Sequence, residues 1–238
     1  MPISARLRTA AELIAFPRIA DIGTDHAFLP IYAVERGLAE AAVACDLSPG
    51  SLAKAGRNIA AAGLSGKIRT GLGDGLEPLV LGEAQCAVLA GMGGHLMIGI
   101  LRRSPEITAG LSQIILQPQN DVPFVRRAVH AMDMLIADEK IVRDRGKYYN
   151  ILDCRPGTIN GPEDGAGRPY GDAGYEFGRL PIDRNDPVLR EYLCVTIRKN
   201  GDILEKIRSG GSGGAAARVS ELQRITALAR EALACMPT

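Results

Sequence analysis

The chain has 238 residues, 46% of them hydrophobic, and this length suits one medium-sized domain with a smaller appendage. Its formal net charge of +1 excludes a generally basic surface, so contact with nucleic acid must come from local arginine clusters. No apolar run is long enough to span a bilayer, and the first residues lack the apolar core of a secretory signal. We expect a cytoplasmic protein without a membrane partner, whose five scattered cysteines stay reduced.

The first part of the chain alternates helix-like and strand-like segments, which is typical of a parallel sheet with crossover helices. Ser4 is placed to cap a first helix. Arg18–Ile22 predicts the first strand, and His26–Arg36 predicts the helix after it. Ala41–Asp46 predicts the second strand, and Ser48-Pro49 marks the start of the next helix.

The turn after the first strand is the most informative segment. It opens like a nucleotide-binding βα turn at Gly23, but Asp25 and Ala27 stand where a dinucleotide site has two more glycines. In such a turn the backbone at Gly23 can still lie close to a ligand, but the side chains of Asp25 and Ala27 occupy the space that a pyrophosphate would need. This favours a nucleoside ligand without phosphates, of which S-adenosylmethionine is the common one, although many such turns are only structural.

Two acids follow the next strands. Asp46 ends the second strand at about the spacing at which an acid binds ribose hydroxyls in nucleoside folds; the alternative is a capping or solvated turn residue. Gly73–Gly75 follows a predicted third strand over Ile68–Leu72, where methyltransferase-like folds contact adenine. Gly-Asp-Gly is also ordinary turn chemistry.

The loops after the predicted strands Cys86–Ala90 and Gln113–Gln117 carry further candidates. In Ala90–Gly94 the glycines would bring backbone atoms close to a ligand, and Met92 would bring its thioether. The alternative is a glycine-rich turn before a helix over Leu96–Leu101. It replaces the Asn/Asp-Pro-Pro-Tyr element of amino-directed nucleic-acid methyltransferases, which argues against that chemistry. Leu116–Asn120 offers amides suited to a base edge, or forms a capped turn.

The end of the predicted sheet changes direction. Met134–Arg143 and Lys147–Cys154, joined by Asp144–Gly146, predict an antiparallel hairpin, and a parallel sheet with a terminal hairpin is the class I methyltransferase arrangement. Apolar stripes over Pro187–Ile207 and Ala215–Cys235 predict two antiparallel helices. We therefore predict an S-adenosylmethionine-binding domain over residues 1–156, a linker over 157–186 and a helical hairpin over 187–238.

Metal and nucleophile chemistry is not indicated. Asp21, Asp25 and His26 could be metal ligands, but no second histidine lies at ligand spacing, so we predict no metal. The histidines and cysteines show no pattern of a Cys/His nucleophile. Basic pairs such as Arg102-Arg103 are typical of solvated faces unless they share a surface.

Five motifs together resemble the bacterial tRNA (adenine(22)-N1)-methyltransferases. They occur in order across residues 4 to 155 and are Asp21–Pro30, Gly73–Gly75, Ala90–Gly94, Leu116–Pro118 and Gly146–Tyr149. The resemblance implies a Rossmann-like class I methyltransferase sheet with a helical tail, S-adenosylmethionine as cofactor and adenine N1 of tRNA as substrate. The chain departs from the family pattern at Gln119, Asn150 and Arg179, where the family usually has Asn, Glu and Pro.

The expected site follows from these turns. Asp25 is the candidate catalytic residue, because a carboxylate beside the adenine amino group would accept a proton or stabilise developing charge. Its structural alternative is a cap on the helix beginning near His26. We expect S-adenosylmethionine to contact Asp21, Gly23, Thr24, His26, Asp46, Leu47, Asp74, Gly75, Gly91, Met92 and Gly93. We expect the substrate to contact Gln117, Gln119 and Asn120.

Two other functions stay open at this point. One is methylation of a small molecule or a protein, which the near-neutral charge favours slightly. The other is a catalytically idle fold that binds RNA or a protein through its helical tail. The five motifs outweigh both.

Overall fold

The computed structural model describes residues 3–157, 170–210 and 216–236. The chain divides into two compact units, Met1–Gly165 and Ala166–Thr238. Within the described parts of the chain, no helix combines the length and apolarity needed to cross a membrane.

The first unit is built on one seven-stranded sheet. Its strands are β1 (Arg18–Ile22), β2 (Ala41–Asp46), β3 (Ile68–Leu72), β4 (Cys86–Met92), β5 (Gln113–Pro118), β6 (Met134–Asp144) and β7 (Lys147–Pro156). Their order in the sheet is β3-β2-β1-β4-β5-β7-β6. Strands β1 to β5 are parallel, whereas β7 runs antiparallel to both of its neighbours. The predicted α/β architecture, mostly parallel with a terminal antiparallel hairpin, is confirmed.

Helices cover the faces of this sheet. They are α1 (Ala5–Glu12), α2 (Phe28–Glu35), α3 (Pro49–Ala61), α4 (Gly94–Arg103), α5 (Pro105–Gly110) and α6 (Val122–His130). Ser48 caps α3 as predicted, since its hydroxyl accepts from the Ser51 N–H at 3.3 Å. Ser4 also occupies an N-cap position, but its side chain makes no capping hydrogen bond.

The central strands are buried on both faces, as expected for a parallel sheet between helices. Every residue of β5 is buried, and Ile114, Ile115 and Leu116 have no exposed surface. Burying one such side chain contributes about 1.5–3 kcal/mol. The strand ends, where polar residues emerge from this rigid layer, are therefore held in fixed positions.

A two-residue turn joins β6 to β7. Arg145 and Gly146 have φ of 48° and 79°, so both are left-handed, and Asp144 pairs directly with Lys147. Two consecutive left-handed residues are the mark of a type I′ turn, whose twist matches that of the strands. The predicted hairpin is thus confirmed, with a tight turn.

The second unit contains α7 (Asp172–Phe177), α8 (Arg179–Asp183), α9 (Pro187–Gly210) and α10 (Ala216–Cys235). Helix α10 packs along α9 and also contacts α7. The sequence predicts residues 172–183 as part of a linker, but they form the two short helices α7 and α8, in which Phe177 and Ile182 are buried. Residues 158–169 of that predicted linker lie outside the described residues.

Candidate functional site

A cleft of about 540 Å³ opens at the carboxyl ends of β1 and β4. Open α/β sheets place their ligands at this edge. The cleft wall is formed by α1, the turn after β1, the end of β4 and the β6–β7 hairpin. Its polar and aromatic lining includes Ser4, Arg6, Asp21, Thr24, Asp25, His26, Phe28, Asp144, Arg145 and Tyr149.

The turn after β1 is fixed by hydrogen bonds to β2. The N–H groups of Gly23 and Thr24 both donate to the carbonyl oxygen of Cys45, at 2.8 and 2.9 Å. Gly23 has a φ of 76°, and a Cβ there would collide with Cε of Met92. Glycine is therefore favoured at this position by its conformation, and any side chain there would also have to displace the end of the Met92 side chain. Two predicted site residues, Gly23 and Met92, lie against each other.

Asp25 and Ala27 adopt the backbone conformation that glycine favours. Their φ values are 30° and 58°, in the left-handed region that costs a residue with a Cβ about 1–2 kcal/mol. Helix α2 consequently begins at Phe28, later than predicted, and its N-cap is Ala27 with no side-chain cap. The alternative that Asp25 caps this helix is therefore wrong.

The Asp25 carboxylate instead lies exposed at the cleft. Its side chain is 68% exposed, and Oδ2 lies 3.5 Å from Nε2 of His26. The Asp25 N–H donates to Oδ2 of Asp46 at 3.3 Å, so the backbone is held while the carboxylate faces solvent. His26 stacks almost parallel on Phe28, at 5.1 Å between ring centroids.

Asp21 is the buried acid of the cleft. The pKa of its carboxyl is raised to about 6, mainly by burial, with the Thr24 hydrogen bond lowering it and the nearby charge of Asp46 raising it. The Thr24 hydroxyl donates to Oδ2 of Asp21 at 2.6 Å. A desolvated carboxylate beside an open cleft is stabilised by a cation, and this favours a positively charged ligand.

Asp46 and two leucines lie at the ends of β2 and β3, next to the cleft but not among the residues that line it. The two carboxylate oxygens of Asp46 accept from the N–H groups of Ser48 and Asp25, and each has a further lone pair for a ligand hydroxyl. Leu47 is 69% exposed and Leu72 is 61% exposed. Exposed apolar side chains beside a carboxylate suit a nucleoside. Leu72 was not predicted, although its position ending an apolar strand was a usable signal.

Asp74 is held by an arginine that sequence reasoning did not connect to it. Nη2 of Arg103 in α4 donates to Oδ2 of Asp74 at 2.9 Å. The Asp74 N–H donates to Oε2 of Glu77 at 3.1 Å. A Cβ at Gly75 would meet Ile100 at 2.6 Å, so this glycine allows close packing against α4. Arg103 is thus paired with an acid and is not a purely solvated charge.

The glycine-rich segment after β4 contains a bulge between Ala90 and Met92. Gly91 has a φ of 80°, and Gly93 is the N-cap of α4. The Gly94 N–H donates to Oδ1 of Asn120 at 3.1 Å. This contact ties the loop after β4 to the loop after β5.

The three predicted substrate residues divide into two kinds. Gln117 is fully buried, and its amide oxygen accepts from Nη1 of Arg6 at 2.6 Å, while its amide nitrogen donates to the Pro118 carbonyl. Its polar atoms are therefore used within the protein. Gln119 and Asn120 are exposed.

Arg6 and Tyr149 join the site from distant parts of the chain. Arg6 extends from α1, and its guanidinium lies 5.7 Å from the Tyr149 ring centroid. No local signal marked Arg6, since one arginine on a helix resembles a surface charge, whereas Tyr149 belongs to the hairpin motif. Together with His26 and Phe28, the Tyr149 ring gives the cleft aromatic surface in addition to its acids.

The cleft combines carboxylates, bare backbone and aromatic rings. Across the described residues, no group of three or more His, Cys, Asp or Glu side chains is arranged to hold a metal ion. The arrangement can hold a cationic nucleoside at the turn after β1 and a planar group near Asp25.

Comparisons with known proteins agree with this chemistry. A family model described as a methyltransferase domain matches residues 3–152. The tRNA (adenine(22)-N(1))-methyltransferase of Bacillus subtilis (strain 168) is 36% identical over 166 residues, which cover 69% of this chain and 70% of that protein. The crystal structure of the B. subtilis M1A22 tRNA methyltransferase TrmK matches with a TM-score of 0.80 and 30% identity, over 98% of this chain and 99% of that chain. M. capricolum TrmK in complex with the cofactor product S-adenosyl-homocysteine matches with a TM-score of 0.80 and 26% identity, over 99% of each chain.

Proposed function

This chain belongs to the tRNA (adenine(22)-N1)-methyltransferase family, and on that premise we propose that it methylates N1 of adenine 22 in tRNA, using S-adenosylmethionine. The observation that carries the proposal is the pair of acids at the end of β1. Asp21 is buried where a cationic ligand would stabilise it, and Asp25 exposes a carboxylate in the same cleft.

The residues present fit the cofactor. The carboxylate of Asp46 would bind the ribose hydroxyls, and the exposed side chains of Leu47 and Leu72 would pack on the adenine. Asp21 would lie near the positive charge, and the turn at Gly23 gives the close backbone approach. The other members of the proposed set are Thr24, His26, Asp74, Gly75, Gly91, Met92 and Gly93.

Methyl transfer to adenine N1 depends mainly on aligning the methyl group with the accepting nitrogen. S-adenosylmethionine supplies a methyl group on a sulfonium, and adenine N1 already has a lone pair, so holding the two in line lowers the barrier. Methylation at N1 makes the adenine cationic unless a proton leaves its amino group. The exposed Asp25 carboxylate would accept that proton or stabilise the charge. Because the Asp25 side chain is 68% exposed, a proton that it accepts can pass directly to solvent.

The target base has to leave its stack to reach this cleft. Flipped or single-stranded bases are commonly held on aromatic rings, and the cleft offers Tyr149 and the stacked pair of His26 and Phe28. The exposed amides of Gln119 and Asn120 are proposed to contact the RNA. Acting on tRNA supports a cytoplasmic location for the protein.

Methyl transfer to defined tRNA transcripts tests the function. We expect incorporation into a transcript with adenine at position 22 and none into the same transcript with guanine there, with N1-methyladenosine located by primer-extension arrest. A protein that binds S-adenosylmethionine but leaves both transcripts unmethylated would contradict the proposal and favour a small-molecule or protein substrate.

Calorimetry tests the cofactor site. Asp46→Ala should weaken S-adenosylmethionine binding by roughly 1–3 kcal/mol, because the ribose hydroxyls lose a charged acceptor. Glu40→Ala is the matched control, since Glu40 is an exposed acid just before the amino end of the same strand. Equal affinity of the Asp46 variant and the control would contradict the ribose assignment.

A further inference from the structure

The charges inside the cleft suit the proposed cofactor and target base better than they suit an RNA backbone. Asp21, Asp25 and Asp144 line the cleft, and its cations Arg6 and Arg145 lie on the helix α1 and hairpin walls. Phosphates are repelled by such an interior, yet an RNA substrate carries one on each side of the target nucleotide. This inference rests on the proposed function, because it asks what would hold those phosphates.

The hairpin of β6 and β7 places two cations at the rim of the cleft. Lys147 pairs directly with Asp144, so both side chains leave the hairpin on one face, and Tyr149 lies on that face two residues further on. Asp144 and Tyr149 line the cleft, so Lys147 is on the cleft face. Arg145 lines the cleft from the turn itself.

The opposite face of the hairpin carries a third cation, Arg143, whose removal can be compared with the removal of the two cations at the rim. Arg143 pairs directly with Tyr148, and its guanidinium lies 6.0 Å from that ring centroid. These two residues alternate with the cleft-facing ones, so their side chains leave the hairpin on its other face.

The rim cations are held on a firm support. The tight turn at Arg145 and Gly146 fixes the tip, and the N–H of Arg6 donates to Oδ2 of Asp144 at 3.5 Å, joining the hairpin to α1. Arg145 and Lys147 are exposed, and within the described part of the chain neither forms an ion pair with an acid. In the described part of this unit several other arginines pair with acids, among them Arg8, Arg69, Arg103, Arg126 and Arg155.

We propose that Arg145 and Lys147 bind the backbone phosphates flanking the target nucleotide of the RNA substrate. The tip of the hairpin then anchors the strand at the rim, while the acids inside receive the base. Contacts to phosphate position a nucleic acid and carry no sequence information, so the two residues act on binding and orientation and not on the choice of base.

The test uses the full chain with Arg145→Ala and Lys147→Ala combined. We expect the KM for tRNA to rise roughly tenfold, with kcat and S-adenosylmethionine affinity unchanged, and the salt dependence of tRNA binding to become shallower by about one to two in slope. Arg18→Ala with Lys67→Ala is the control: it removes the same charges from exposed positions at the amino ends of the strands, and should leave KM unchanged.

Each remaining outcome decides the proposal. An unchanged KM and salt slope would overturn it, as would an equal loss in the control or in Arg143→Ala. If the double variant melts early, Arg145→Lys with Lys147→Arg keeps the charges and must bind tRNA normally. If the unaltered protein methylates no tRNA, the proposed function fails by itself. Fluorescence anisotropy with tRNA then decides this inference: binding weakened in the double variant supports it, and absent or unaffected binding overturns it.

Discussion

Asp25 has a strained backbone and a carboxylate that makes no capping bond. A φ of 30° is unfavourable for a residue with a Cβ, and Asp25 is the one of the two left-handed non-glycine residues of this turn that lines the cleft. Strain of this kind persists where the surrounding structure determines the backbone, and it clusters at functional sites. Here the N–H bonds of the turn to Cys45 and Asp46 supply that support.

Replacing Asp25 separates its proposed chemical role from its effect on stability. Asp25→Ala should lower kcat roughly a hundredfold, the usual scale for one positioned acid or base, while cofactor affinity is kept. Asp25→Gly should be equally slow yet more stable by about 1 kcal/mol, because glycine adopts this φ without strain. Single-turnover methylation beside thermal melts measures both effects. A glycine variant with normal turnover would show that the carboxylate has no catalytic part.

The pKa of Asp21 predicts a pH dependence of stability. In the unfolded chain this carboxyl ionises near its ordinary pKa of 3.8, whereas in the folded protein its pKa is about 6 because burial disfavours the charge. Between these values the folded state holds a proton that the unfolded state has lost. Protonated Asp21 therefore makes its full contribution to folding stability below pH 3.8. This contribution is lost as the pH rises through 6, and the free energy of unfolding falls by roughly 3 kcal/mol.

Asp21→Asn removes this titration. We expect the free energy of unfolding of the variant, minus that of the unaltered protein, to increase by roughly 2–3 kcal/mol from pH 4 to pH 8. Urea unfolding at both pH values measures this difference. In the unaltered protein, affinity for the cationic cofactor should rise through pH 6 as the carboxylate ionises. A difference between the two proteins that is constant with pH would contradict the assignment.

Among the secondary-structure elements, buried strands were the easiest to predict. The bounds of β1 and β2 coincide with apolar runs in the sequence, because strands covered on both faces contain few polar residues. The bounds of β3 were also predicted, although this edge strand is largely exposed. Helix α5 was not predicted, since six residues are too few to show helical periodicity. Helix α2 begins later than predicted because the left-handed residues before it cannot continue a helix.

The candidate site was predictable where acids end strands, as at Asp21 and Asp46. It was not predictable where contacts join distant segments, as for Arg103 on Asp74 and Arg6 on Gln117. Gln117 shows a further limit of sequence patterns. In a strand buried on both faces, the alternation of polar and apolar residues does not show whether a polar side chain is bonded within the protein or faces a ligand.

The pair of helices α9 and α10 contains a buried polar contact that can be tested. Nδ2 of Asn200 donates to Oγ1 of Thr226 at 3.2 Å, and the Thr226 hydroxyl donates to the carbonyl of Leu222. Thr226→Val should cost about 1–3 kcal/mol, because the Asn200 amide is left buried without its acceptor. Thr226→Ser keeps the hydroxyl and should cost less. Urea unfolding checks both, and equal losses would show that the methyl group matters more than the hydrogen bond.

On the scale of the whole molecule, the two compact units predict where the chain can be cut. In the second unit the Phe177 ring lies 6.2 Å from Tyr192, and Arg224 pairs with Glu176 at 3.1 Å. A chain ending at residue 186 would keep α7 and α8 without the helices that cover them. A chain ending at residue 165 would remove the second unit completely.

The chain ending at residue 165 should therefore be less prone to aggregation than the chain ending at residue 186. We expect residues 1–165 to bind S-adenosylmethionine with unchanged affinity and to turn over tRNA poorly, whereas residues 1–186 bind an apolar dye or aggregate. Light scattering and calorimetry on both chains measure this. Full tRNA turnover by residues 1–165 would mean that the second unit has no part in the reaction.

The position of β7 between β5 and β6 has a consequence for biosynthesis. A chain leaving the ribosome presents β5 and then β6, but these two strands are not neighbours, and the strand that separates them emerges last. Until Pro156 is out of the exit tunnel, one edge of the apolar strand β5 lacks its partner. Nascent sheets with an unpaired apolar edge are exposed to aggregation. Completion of the sheet therefore waits for nearly the entire first unit to be translated, and a pause in translation just before Lys147 would lengthen the exposure of that edge.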